Sequence, residues 1–311
     1  QPCSSAASDV YKRQAIDSIR GKKNINIFVL HPNNKISSVQ RKLMTTIEDD
    51  NVFNLAINGN FDDCQNLVKS MFSDTGFANT INMSGVNSIN WARIVAQTVY
   101  YFYSYFQIGK QNLSFSVPTG NFGDVYAGYI SKQMGLPISK FIVATNQNDI
   151  LHRAISNGDY KSNKVKETIS PSMDIQVASN FERLLYDLYD KNSQIVINIM
   201  KSIKDNSFKI EQDKLKDLRN DFDSESLNET EVINTIKKFY EEYNIVIDPH
   251  TAIGVGAVEK LNLSDVVILS TAHPCKFPMA IEKAISKIEK LPESLNYICL
   301  LYTSDAADEH G

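Results

Sequence analysis

The chain reads as an α/β protein built on a mostly parallel sheet. Short runs rich in Ile, Val and Phe, such as "INIFVL", "VFNLAI", "LSFSV", "FIVAT" and "VVILS", alternate with longer stretches of helical spacing. Runs this short and this continuously apolar suit parallel strands buried on both faces. Strand alternating with helix is the order that gives such sheets. At 311 residues there is room for two ordinary domains with sizeable cores.

Taken in order, strands fall at 25–30 and 52–57. The stretch 61–72 places Phe61, Cys64, Leu67, Val68, Met71 and Phe72 at helical spacing, with Asp62 and Asp63 in the first turn where a helix favours acids. Residues 89–106, "INWARIVAQTVYYFYSYF", predict a long helix, bulky on several faces and buried. A strand at 113–117, a helix at 123–135 and a strand at 141–145 follow, with Gly135 and Pro137 as punctuation. Helices are expected at 179–190 and 194–204. Asp205 to Thr230 is polar and charged, and reads as a surface insertion. A helix at 231–243, another from 251, a strand at 266–270 and a helix at 277–289 complete the pattern.

The two ends stand apart. "SSAASDVYKRQ" and "CLLYTSDAADE" back-translate with ordinary codons into reverse complements of one another, as a sequencing adapter read from both sides would. Residues 1–14 and 299–311 are therefore expected to be non-native. The remainder divides into a smaller α/β domain at 15–112 and a larger one at 113–298. Setting the ends aside removes two basic and four acidic residues, which leaves 30 basic against 32 acidic. A near-neutral balance offers no basic surface for nucleic acid. The most apolar windows are too short to span a bilayer. Cys64 and Cys275 remain, without a disulfide pattern, which predicts a reducing, cytoplasmic setting.

Several constellations carry possible chemistry. In "VPTGNFGDVYAG", Pro118 ends a strand and Asp124 opens a helix, with Gly120 and Gly123 between. Backbone N–H groups gathered at a helix start bind phosphate or carboxylate without a basic side chain. Glycine there permits positive φ or close approach of a ligand, and Thr119 and Asn121 add side-chain donors. An ordinary βα loop has the same spacing. In "NSINWAR", Asn87, Ser88 and Arg93 could converge on one anion if Ser88 opens the helix, since the planar fork of Arg grips two oxygens. Taken locally, an N-cap serine beside a surface arginine is the plainer reading. Ser270 and Thr271 in "STAHPCKF" end a strand at the edge where open α/β sheets bind ligands. His250 and His273 lack metal-ligand spacing, and Asp248-Pro249 reads as an N-cap with Pro at the first helical position. Cys275 beside Lys276 has no catalytic partner in the pattern.

Together these segments resemble threonine synthase in its longer fungal and bacterial form. The residues that carry the resemblance are "GNFDDCQNLVK", "VNSINWARI", "SFSVPTGNFGDVYAGYISKQMGLPI", "ATNQNDILHR", "SPSMDIQVASNFERLL", "DPHTAIGV" and "STAHPCKF", in the family's order. The resemblance implies the tryptophan synthase β-like fold, two three-layer α/β domains, with pyridoxal 5′-phosphate as cofactor. It implies conversion of O-phospho-L-homoserine and water to L-threonine and phosphate, with the cofactor ring taking up electrons from the deprotonated carbon. Gly120, Asn121, Phe122, Gly123 and Asp124 match the loop that cradles the cofactor phosphate, and Thr271 the hydroxyl facing the ring nitrogen. Asn87, Ser88 and Arg93, with Asn121, match the grip on the substrate phosphate. Asp124 is expected to cap its helix.

One departure bears on activity. The family's Schiff-base lysine lies in a Phe-Lys-Asp motif, followed by a Ser-Gly-Asp-Thr-Gly loop, and neither occurs in this sequence. Without that lysine the α-proton base is also absent, so the chain is expected to be inactive although its parent is an enzyme. Lys276 matches a different part of the pattern. The amino-terminal part of the fold is expected to be missing, which leaves a sheet edge unpaired. Alternatives are a threonine-synthase-like phospholyase of the same fold, a non-catalytic phosphate-binding homologue and, more remotely, a metal hydrolase.

Overall fold

The computed structural model describes residues 15–33, 41, 44–47, 49–59, 61–86, 90–205 and 208–286. Both adapter-like ends, and Asn87 and Ser88, lie outside the described residues. The chain divides into two compact units, one of 90–274 with 279–286, the other of 15–86 with 275–278.

The smaller unit holds two parallel strands, β1 (Ile27–Pro32) and β2 (Val52–Ile57), in register from Ile27 against Val52 to Pro32 against Ile57. Alternation sends Ile27 and Val29 into a small core with Ile16, Met44 and Ile47. Phe28 and Phe53 stack on the other face at 4.7 Å and stay exposed. Helices α1 (Phe61–Ser73) and α2 (Thr75–Thr80) follow, α2 capped by the Asp74 carboxylate on the Phe77 N–H. One side chain organises the entry to β1. The Asn51 amide donates to the carbonyls of Ile19, Lys22 and Ile25, and its oxygen accepts from the Gly21 N–H. Each such bond is worth roughly 1 kcal/mol net. Asn51→Ala is expected to lower the stability of this unit by about 1–3 kcal/mol, read as a shifted urea midpoint at unchanged slope.

The larger unit is built on four parallel strands in the order β5-β4-β3-β6. They are β3 (Leu113–Pro118), β4 (Ile138–Thr145), β5 (Phe222–Ser226) and β6 (Val266–Ile268). Before β3 runs helix α3 (Trp91–Ile108). Between β3 and β4 lies α4 (Gly123–Gln133). Between β4 and β5 come α5 (Ile150–Asn157), α6 (Phe181–Leu188), α7 (Ser193–Lys204) and α8 (Gln212–Asp221). Then α9 (Glu229–Tyr243) and α10 (Pro249–Lys260) lead to β6, and α11 (Pro278–Ile285) follows it.

Strand β4 shows why the layers number three. Phe141 and Val143 enter one core with residues of α3 to α8, while Ile142 and Ala144 enter another with residues of α9, α10 and α11. Successive residues point to opposite faces, so helices cover both sides of the sheet. No described helix is long and apolar enough to cross a membrane.

Two expectations are corrected here. Helix α3 is not buried all round: Ile94, Gln97, Thr98 and Tyr101 form its buried stripe, while Val95, Val99, Tyr103 and Phe106 are exposed. The stretch read as a surface insertion contains α8 and the edge strand β5. Leu215 and Leu218 bury one face of α8, and Phe222 stacks on Phe141 at 5.5 Å. "FDSES" carries one large apolar residue, so its strand pairing comes from β4 and not from its own pattern.

Candidate functional site

All four strands of the larger sheet are parallel, so the loops after β3 and β6, which are neighbours, leave from the same edge. The first of these is Thr119–Phe122, leading into α4. Of the two uses expected for the glycines, positive φ is not the one found. Neither Gly120 nor Gly123 has positive φ, and the left-handed residue is Phe122, at φ 65° and ψ 9°. An aromatic residue in that region carries backbone strain of about 1–3 kcal/mol. Packing holds it there: the ring is fully buried, 5.2 Å from Phe181 and 5.9 Å from Phe222.

The two glycines serve close approach. A Cβ on Gly120 would lie 3.0 Å from the Met173 Cα and 3.2 Å from the Ser172 carbonyl, so the turn is pressed against backbone. That wall is itself braced, because the Asn146 amide donates to the Thr168 and Ser170 hydroxyls and to Asp174. A Cβ on Gly123 would lie 3.1 Å from the Asn121 amide oxygen and 3.3 Å from the Asn180 amide nitrogen. Within the turn, the Phe122 N–H donates to the Thr119 hydroxyl at 3.0 Å and the Gly123 N–H to the Asn121 amide oxygen at 2.9 Å. These two N–H groups are engaged inside the turn and fix its shape.

Asp124 does not cap α4, whose N-cap has no side-chain hydrogen bond. Its carboxylate turns inward to Tyr101, whose hydroxyl donates to the Asp124 carbonyl at 2.7 Å and to Oδ1 at 3.3 Å. Burial pushes the carboxyl up to about 7, against a smaller opposing pull from the Tyr101 hydroxyl. A carboxyl held part-protonated at neutral pH sits beside an anion at lower cost than an ordinary aspartate.

Arg93 is half-buried on the first turn of α3. That turn adjoins the glycine loop, since Ile94 Cδ1 lies 3.5 Å from where a Gly123 Cβ would be. The helix is opened by Asn90, whose side chain accepts from the Ala92 N–H at 2.9 Å, so the N-cap role expected of Ser88 belongs two residues later.

Thr271 lies just beyond β6, buried, in a network centred on Asp248. The Asp248 side chain caps α10 through the N–H groups of His250 and Thr251, with Pro249 at the first position, as "DPHT" suggests. Its Oδ1 also accepts from the Thr271 hydroxyl at 3.3 Å and pairs with His250 Nδ1 at 3.0 Å, while Oδ2 accepts from the Thr251 hydroxyl. The Thr271 N–H donates to the Thr251 hydroxyl at 3.2 Å. Burial works to raise the Asp248 carboxyl, but the hydrogen bonds and charge of His250, with Thr251, hold it below the usual carboxylate value. Ser270, beside it, is exposed.

The residues that sequence reasoning missed are Asn180, Arg183, Tyr101 and Asp248 in its link to Thr271. Asn180 precedes an amphipathic run, "NFERLL", and reads as a plain N-cap, yet it makes no capping bond. Its oxygen accepts from Arg183 Nε at 3.0 Å, and the Arg183 guanidinium lies 5.5 Å over the Trp91 ring. Its backbone N–H donates to the Asn121 carbonyl at 3.0 Å, which ties α6 to the glycine turn.

A family model described as pyridoxal-phosphate dependent enzyme matches residues 22–271, and one described as threonine synthase, C-terminal, matches residues 251–300. The threonine synthase of Pseudomonas aeruginosa is 48% identical over 90% of this chain and 61% of its own length. That of Saccharomyces cerevisiae is 44% identical over 92% of this chain and 62% of its own. The crystal structure of pyridoxal-phosphate-bound threonine synthase from Brucella melitensis superposes with a TM-score of 0.88 at 43% identity, covering 97% of this chain and 66% of that one. The chain thus spans about three fifths of the length of the curated relatives it matches. With a matching model that runs through both sheets, the glycine turn and Thr271, the chain belongs to the pyridoxal-phosphate dependent enzyme family.

Proposed function

We propose that the chain carries the phosphate-binding machinery of a threonine synthase, whose complete reaction turns O-phospho-L-homoserine and water into L-threonine and phosphate. The observation that carries this reading is the turn at Thr119–Phe122. A buried aromatic residue is held left-handed so that a strand passes directly into a helix start, beside glycines with no room for a side chain. Strained turns of this kind recur at ligand clamps, and helix starts favour anions. Similarity to threonine synthases at 44–48% identity supports the choice of substrate.

The residues present fit the cofactor. Gly120, Asn121 and Asp124 would hold its phosphate at the mouth of α4, with Gly123 leaving it room and Phe122 setting the shape. Thr271 would face the ring nitrogen. Asn87, Ser88 and Arg93, with Asn121, would hold the substrate phosphate. When bound, the cofactor supplies an electron sink for the substrate carbon that loses its proton. The chain's own groups bind and orient: Arg93 neutralises phosphate charge, and Asp248 fixes the Thr271 hydroxyl. Since neither the Phe-Lys-Asp nor the Ser-Gly-Asp-Thr-Gly motif occurs, the chain alone binds without turning over. Cys64 and Cys275, both buried and outside any disulfide among the described residues, support a cytoplasmic setting.

Calorimetric titration tests the reading. Pyridoxal 5′-phosphate should bind at least tenfold more tightly than pyridoxal, because the phosphate supplies most of the contact. O-phospho-L-homoserine should lose about tenfold or more in affinity with Arg93→Ala, the scale of one charge-assisted hydrogen bond. Equal affinities for pyridoxal and its phosphate would end the proposal. Steady phosphate release above that of Lys276→Ala would end its inactive part.

A further inference from the structure

Asn180 is fully buried, and its amide nitrogen has no hydrogen-bond partner among the described residues. The orientation of the amide is settled by chemistry, since Arg183 Nε can only donate and therefore faces the Asn180 oxygen. That leaves the NH2 group on the side of the glycine turn, 3.3 Å from the point a Gly123 Cβ would occupy. A buried donor without an acceptor is costly, by about 1–3 kcal/mol. Such a cost persists where an acceptor arrives with a ligand. Three further facts point the same way. Asn180 stands at an N-cap position yet does not cap. Its backbone N–H donates to the Asn121 carbonyl, so it is tied to the turn. The helix it aims at, α4, is 11 residues long and begins at that same Gly123, so its dipole and the amide favour an anion at one place.

We propose that Asn180 is a ligand-binding residue, its amide N–H donating to a phosphate oxygen seated at the start of α4. This rests on the reading of the turn as the site of the cofactor phosphate, and adds to it a side-chain donor from a different element, α6. Gly123 acquires a second purpose: a side chain there would stand between the amide and the anion. Arg183 acts through Asn180 as a positioning residue by holding the amide oxygen.

Asn180→Asp tests the assignment, because a carboxylate keeps the acceptor for Arg183 and the shape but replaces the donor by negative charge. The unaltered chain and the variant are titrated at pH 8 with pyridoxal 5′-phosphate, pyridoxal and inorganic phosphate, and their thermal midpoints are compared. The expected result is a loss of ten- to a hundredfold in affinity for both phosphate-bearing ligands. Affinity for pyridoxal should not change, and the melting temperature should be equal or higher. Asn180→Ser, which restores a short donor, should recover part of the loss. Phosphate affinity unchanged in Asn180→Asp, while the unaltered chain still prefers the phosphate ester, overturns this assignment alone. An unaltered chain that does not distinguish pyridoxal from its phosphate overturns the assignment together with the reading beneath it. A lowered melting temperature with parallel loss of all three ligands marks a structural role and also overturns it.

Discussion

Glycine in place of Phe122 is expected to leave a more stable protein than alanine in the same place, by about 1 kcal/mol. Both changes delete a fully buried ring packed against Phe181 and Phe222, which costs about 3–5 kcal/mol. They differ in the backbone. At φ 65° a Cβ is strained by roughly 1–2 kcal/mol, and glycine is not. Glycine gives back about 0.4–1 kcal/mol through the greater freedom of the unfolded chain. The difference favours glycine, the reverse of its usual order behind alanine inside regular structure. Urea unfolding of the two variants decides it; alanine at or above glycine in midpoint would show that the turn is unstrained. Ligand affinity should fall in both, because the turn loses the ring that locks its shape. This separates what is needed for the fold from what is needed for the site, and Phe122 serves each.

The sequence conveyed the architecture well where the physics is local. Apolar runs flanked by Gly and Pro placed β3, α4 and β4 to within a few residues, and "DPH" foretold the cap on α10. It conveyed less where tertiary packing decides. "FDSES" has no strand pattern, and becomes an edge strand because β4 offers hydrogen bonds and Phe222 fits against Phe141. Helix α3 reads as bulky on several faces and buried, but among its residues only Ile94, Gln97, Thr98 and Tyr101 are fully buried, while Tyr100, Phe102 and Tyr105 are partly covered. At the site, the glycine turn was visible as a motif, while the division of labour inside it was not. Positive φ is carried by a phenylalanine, a choice that depends on rings contributed from positions 181 and 222. Asn180 and Tyr101 reach the turn from other helices, over separations that no spacing rule spans.

Two aspartates should give the protein opposite responses to pH. Asp124 has its carboxyl raised to about 7 by burial, so the folded chain holds this proton between pH 4 and 7 while the unfolded chain releases it. Its contribution is therefore fully favourable below the unfolded value near 3.8, and is lost as pH rises through about 7. Asp124→Asn, which keeps an acceptor for the Tyr101 hydroxyl, should be more stable than the unaltered chain at pH 8 by about 1–3 kcal/mol and near parity at pH 4. That range is set below the upper bound of about 4 kcal/mol from the proton affinity, to allow for solvent screening of a partly exposed residue. Asp248 runs the other way. Its carboxyl is lowered, so its contribution is present above the ordinary carboxylate value and is lost only as pH falls through the lower folded value. Removing it leaves His250, Thr251 and Thr271 without their common acceptor. Asp248→Ala should cost about 3–5 kcal/mol at pH 7, the scale of one partner deleted from a buried pair. Chemical denaturation across pH 4 to 8 reads both, and parallel slopes for Asp124→Asn and the unaltered chain would refute a raised Asp124. The pairing has a functional sense. Next to the glycine turn the chain keeps a carboxyl that burial turns against charge, and beneath Thr271 it keeps one whose charged form is favoured. Negative charge is thus withheld at the proposed anion site and supplied where a hydroxyl has to be held.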